Sequence, residues 1–274
     1  MKDKILVVLE GIKTEPIYFK SLMKLYFPDF EGHIICAFEN NIYDLWAVID
    51  QDPYLDIVEV IRERSEINRK ALENCRRSEI SQTYLFFDLD GHDNKYEKRK
   101  VQKLLSVFSN ETESGSIFIS YPMVEALRHF TSVENFHNKR VKIFGGKYKN
   151  LVHIEGAKEY SHIHKVTIEE FNTLVRQHII KANYLCEKCA LVDISNLFAN
   201  RTVEYVGQEL IFSSQLKFIE GEEEVSVLSA FPLFLHQYFG NEIFDRTCNL
   251  LLAANSEEIL LSDISQATEN LREG

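Results

Sequence analysis

Four carboxylates stand at positions where they could do chemistry together. Glu10 follows the apolar run Lys4–Leu9 and precedes Gly11, and Asp88 and Asp90 follow the apolar run Thr83–Phe87 in the string FFDLDGHD. Asp-x-Asp in extended chain turns both side chains to one side, which suits two oxygens gripping one hard cation. Glu125 comes just after a further apolar run, Ser116–Ser120, in SYPMVEALRHF. Four such acids could hold one or two Mg²⁺ or Mn²⁺ ions, with Glu10, Asp88 and Asp90 as the metal ligands, and so support in-line phosphodiester chemistry. Lys13, in the same loop as Glu10, and His92, beside the aspartates, are candidates for contact with substrate phosphate. Glu15 reads as a first-turn helix acid, and His129 as a packed, hydrogen-bonded core histidine.

The elements that must position these groups alternate in type. Lys4–Leu9, His33–Phe38, Thr83–Phe87 and Ser116–Ser120 read as short buried strands. Helices are expected from Thr14, with Pro16 in the first turn, over Ile42–Ile49, over Asp56–Arg77 with Ile57, Val60, Ile61, Ile67 and Leu72 inward, over Lys95–Phe108, and from Pro122 through Phe130. The alternation predicts an α/β fold, an open parallel sheet flanked by helices, with functional residues at the carboxyl ends of the strands. After about residue 135 the pattern changes, which divides the chain into a catalytic domain over 1–135 and a mainly helical subdomain over 136–274. There Thr167–Leu185, Ser195–Arg201 and Ser226–Phe239 read as helices and Glu220–Glu224 as a solvated loop.

Composition narrows the class. The 274 residues are 45% hydrophobic and 27% charged, with 11 Gly and 5 Pro, an ordinary globular balance. No apolar run reaches the ~20 residues of a bilayer crossing. The apolar start Ile5–Leu9 ends at Glu10 without a cleavage site, so no signal peptide is expected. Five cysteines without framework spacing point to a reducing, cytoplasmic setting. The net charge of −11 means that contact with nucleic acid must come from a local basic strip or a partner.

Beyond spacing, the residues resemble a known family. Glu10-Gly11 with Asp88-x-Asp90 resembles the TOPRIM domain of topoisomerases, primases and OLD-type nucleases. EGIKTEPIYFKSL (Glu10–Leu22) and ISYPMVEALRHF (Ile119–Phe130) are similar to two signature segments of its RloB-like branch. Two positions depart from that branch: Tyr121 stands where it has Asn, and Arg128 lies in a normally apolar helix. The resemblance covers the first half of the chain. It implies that Glu10 is a general acid/base or metal-bound group, that Asp88 and Asp90 form a metal-binding pair, and that Glu125 is a later acid of less settled role. It further implies a Mg²⁺-dependent endonuclease acting on tRNA or DNA as the toxin of an anti-phage defence system. The partner would be an ABC-type ATPase, as in PARIS-type pairs, with homo-oligomerisation open.

Other motifs point elsewhere or nowhere. Gly145-Gly146-Lys147 lacks the P-loop frame, and no Gly-x-Ser-x-Gly elbow is present. Cys186-x-x-Cys189 is half a zinc site, completed only by Cys248 or His178, and Ser161–His164 could set two imidazoles on one strand face. The aromatic stretch Leu228–Phe239 is either core or a docking element. The competing reading of the whole is a non-catalytic regulatory or binding subunit of an ATPase complex.

Overall fold

The computed structural model describes residues 4–52, 54–143, 147–187 and 203–243. Its centre is a sheet of β1 (Lys4–Leu9), β2 (His33–Ala37), β3 (Ile80–Asp88), β4 (Ser109–Asn110) and β5 (Gly115–Ser120) in the order β2-β1-β3-β5-β4. All neighbours are parallel except β4, a short antiparallel edge on β5. Every residue of Ile5–Leu9 is buried, as expected of a strand covered on both faces. The chain runs from β1 outward to β2, then returns to place β3 on the other side of β1. The β1/β3 crevice is therefore the topological switch point, where open α/β sheets receive ligands.

Helices cover both faces. Phe86 of β3 packs against Phe19 of α1 (Thr14–Tyr26), whereas Phe87, on the opposite face, meets Phe38. The α2 helix (Ile42–Gln51) is capped by Asn41, whose side chain accepts from Tyr43 N and Asp44 N, and it packs on α5 (Lys98–Val107).

The stretch Asp56–Arg77, expected as one helix, is two: α3 (Ile57–Arg64) and α4 (Glu66–Ala71). Ser65 is extended, with φ −151°, and its hydroxyl caps α4 by accepting from Asn68 N. The break turns Asn68 inward to satisfy Ala37 and Ile61, and leaves Ile67 exposed instead of inward. The helix expected after Pro122 is only a 3-10 turn, Val124–Arg128.

In the second half the described elements are α6 (Val133–Phe136), β6 (Arg140–Lys142), α7 (Tyr148–Glu155), α8 (Ile168–Leu185), α9 (Gln208–Glu222), β7 (Glu224–Ser226) and α10 (Ala230–Phe239). Thr167 and Glu170 form a reciprocal capping box at the start of α8. The acids read as a solvated loop are instead the last turn of α9: Glu223 takes a left-handed φ of +54° and Glu224 opens β7, which pairs with β6. His162 and His164 sit on short 3-10 turns, not a strand. The expected helix Ser195–Arg201, with Cys189, Cys248, Gly145 and Gly146, lies outside the described residues. The aromatic stretch before Gly240 is core: Phe234 of α10 lies 4.8 Å from the Tyr84 ring and 5.4 Å from that of Phe86. No helix among the described residues is long and apolar enough to cross a membrane.

Candidate functional site

The sheet register brings the acids together. Leu9 pairs with Phe86, so the next residues, Glu10 and Phe87–Asp88, leave neighbouring strands at one edge. Glu10 Oε2 accepts a 3.0 Å hydrogen bond from the backbone N–H of Asp88 and so bridges the two strand ends. Asp88 closes β3 opposite Ser120 and is only 5% exposed.

Beyond it the chain leans on the end of β5. Leu89 N donates to Ser120 O and Pro122 O, and the Tyr43 hydroxyl donates to Leu89 O from the other side. Asp90 adopts φ +44°, a left-handed conformation that Asp tolerates better than most residues. At Gly91 a Cβ would stand 2.1 Å from Ile143 Cδ1, so only glycine lets the segment after β6 pack on this loop.

Two further acids join them. Glu125, on the turn after β5, is 4% exposed. Glu15, in the first turn of α1, lies against Gly11, where a Cβ would meet its Oε2 at 3.0 Å. One cation answers this charge: Lys149 in the first turn of α7, whose Nζ is 3.5 Å from Glu125 Oε1.

The electrostatics record the crowding. Burial, then Asp90, pushes the Glu10 carboxyl up to about 8. Burial also raises Asp88 well above the usual range, with Glu10, Asp90, Glu15 and Glu125 adding repulsion. Asp90 and Glu15 are raised too, chiefly by burial. At Lys149 burial opposes the ammonium, but Glu125 and Asp88 outweigh it and its pKa rises. The buried Tyr148 phenol is raised by burial and by the fields of Glu125 and Asp88.

Little else offsets these charges. Asp88 makes no side-chain hydrogen bond or ion pair among the described residues, and Asp90 Oδ1 and Glu125 Oε2 are buried without a hydrogen-bond partner. Orphaned buried carboxylate oxygens are costly and call for an explanation.

The donor set, all hard oxygens, suits a divalent cation such as Mg²⁺. Among the described residues, no group of three His, Cys, Asp or Glu is arranged to hold a metal ion. The acids stand within each other's field rather than in a closed coordination sphere.

The other candidates fall around this centre. His92 Nδ1 is 3.9 Å from Asp90 Oδ1 and its side chain is 42% exposed. Lys13 is exposed at the N-cap of α1 and touches none of the acids. His178 is taken up in the core, facing Leu127 O and accepting from Ser229 N.

Sequence reasoning missed Lys149 and Tyr148, since no spacing in GGKYKN connects them with strand ends far earlier in the chain. It placed Glu15 in a first helical turn without seeing that this turn faces the sheet edge. No protein-family model, no curated protein and no solved structure matches the chain.

Proposed function

We propose that the protein is a metal-dependent nuclease that hydrolyses phosphodiester bonds at the β1/β3 crevice. The observation that carries this reading is the gathering of Glu10, Asp88, Asp90, Glu15 and Glu125 at one sheet edge, with two of their buried oxygens unpartnered. Such a cluster is costly alone and is relieved by a cation. Glu10, Asp88 and Asp90 would hold Mg²⁺ or Mn²⁺, and the metal when bound would polarise the phosphate and acidify an attacking water.

The chain's own residues have separate tasks. Glu10, raised to about 8 without a cation, would give up its proton as metal binds and serve as a carboxylate ligand. Lys149, charged and 60% exposed beside Glu125, is placed to meet a phosphate at the rim. His92 and Lys13 extend that rim. The resemblance in Glu10–Leu22 and Ile119–Phe130 adds a cytoplasmic defence effector triggered by an ABC-type ATPase, with tRNA or DNA as target. The test is incubation of the purified chain with Mg²⁺ or Mn²⁺ and tRNA, plasmid and single-stranded DNA in parallel. Metal-dependent cleavage that Glu10→Gln abolishes is the expected result. Absence of cleavage on all three, with or without the ATPase, would leave the non-catalytic subunit as the better reading.

A further inference from the structure

Among the described residues, three lysines without an ion pair stand in a row that begins beside the carboxylate site. Most lysines and arginines described elsewhere are neutralised by a carboxylate, as in Lys95–Asp44, Lys98–Glu220 and Arg77–Asp56. Lys13, Lys20 and Lys24 are exposed and form no ion pair or hydrogen bond among the described residues. Their spacing, with the exposed Ile17 between, is that of one helix face, so the three ammonium groups form a single stripe along α1. From Lys13 to Lys24 the stripe spans about 16 Å, several phosphates of an extended strand. The turn Ile163–Lys165, with the exposed His164 and Lys165, packs against α1.

The stripe begins at Lys13, in the loop that joins Glu10 to α1. A row of cations leading away from an acidic pit is complementary to a chain of phosphates whose reacting member sits in the pit. We infer that this face of α1 is the track for the phosphate backbone of a nucleic-acid strand flanking the bond held at the carboxylates. The inference rests on the nuclease reading for its direction, but its contacts are sequence-independent and need no metal.

The test measures binding, not cleavage. The full chain in EDTA is titrated into a fluorescein-labelled single-stranded RNA 20-mer and into a DNA duplex, by anisotropy, from about 20 mM salt upward. Each neutralised phosphate adds ~0.7 to the slope of log K against log salt on a single strand and ~0.9 on a duplex, so K20Q/K24Q should flatten it by ~1.4 or ~1.8. Lys103→Gln, removing an unpaired lysine on α5, should leave the slope unchanged, and thermal melts should show all variants folded.

A wild-type slope in K20Q/K24Q, or no binding by the wild-type chain at the lowest salt, would overturn the inference. Anionic phosphatidylserine vesicles that bind more tightly than either nucleic acid, with the same two lysines responsible, would overturn it too. Flattening without cleavage under any condition would keep the track and sink the nuclease reading. Cleavage with an unchanged slope would do the reverse.

Discussion

Two buried polar clusters in this molecule are treated in opposite ways. In one, His129 lies between the Tyr148 hydroxyl at 3.1 Å and Glu155 Oε2 at 3.2 Å, and Lys139 also pairs with Glu155. Lys181, fully buried, donates to Phe136 O and Lys139 O at 2.8 Å each and lies over the Phe136 ring. These groups find hydrogen-bond partners, as structural polar groups generally do, although burial and the nearby Lys139 push the Lys181 pKa down. At the sheet edge, by contrast, acids face acids. Asp88 has no side-chain partner among the described residues, and Asp90 and Glu125 each keep an orphaned oxygen. Local conflict of this kind is expected at sites kept for function, since the fold alone would have selected against it.

The largest effect should come from breaking the satisfied cluster. Lys181→Met would strip the donor from two buried carbonyls and should cost about 3 kcal/mol. For a domain of this size that lowers Tm by roughly 6–12 °C. A melt displaced by only a degree or two would show that the pairing is dispensable. Next, Glu10→Gln should reduce cleavage at least about a hundredfold, some 2.7 kcal/mol in the barrier, while the fold survives. Loss of the folded signal instead would place Glu10 in the structural class.

A smaller effect concerns pH. The folded carboxyl of Glu10 stands at about 8 against an ordinary 4.5, so between those values the native state holds a proton that the unfolded chain does not. Its contribution to stability is complete below pH 4.5 and is lost as pH rises through about 8. Asp88 and Asp90, also raised, act in the same sense. Urea midpoints of the metal-free protein should therefore fall across this window. Glu10→Gln should flatten the fall, and an equal slope in that variant would contradict the assignment. Smallest is Lys149→Gln, which removes a largely exposed partner of Glu125 and should cost only about 0.5 kcal/mol.

The first half was legible because its signals are local. Burial on both faces goes with the uniformly apolar run Ile5–Leu9, and Thr14 with Pro16 opens a helix, so both elements stand where their residues put them. Parallel strands would bring Glu10 and Asp88 to one edge of the sheet, and the strand order makes β1 and β3 neighbours.

What escaped depended on single side chains or on distant partners. Ser65 ends one helix by capping the next, although the apolar spacing runs on through it. Residues 208–222 form a helix whose apolar side chains follow no sharp period, because α5, α8 and β7 contact it from several directions. Lys149 reaches the acids because α7 packs on the turn Val124–Arg128 that carries Glu125. No pattern within either segment states that contact.

The proposed metal site requires that the acids at the β1/β3 crevice repel one another and be relieved by a cation. Thermal melts of the wild-type chain and of Asp88→Asn, each in EDTA and in excess Mg²⁺ or Mn²⁺ and run above the pH of about 8 at which Glu10 loses its proton, test it most directly. Asparagine relieves repulsion without changing shape, so the metal-free variant should melt no lower than wild type and up to about 1 kcal/mol, or roughly 2–4 °C, higher. The wild-type chain should rise when metal is added, and the variant should respond weakly or not at all. A metal-free Asp88→Asn protein that melts well below wild type, together with a wild-type melt indifferent to both ions, would contradict the claim.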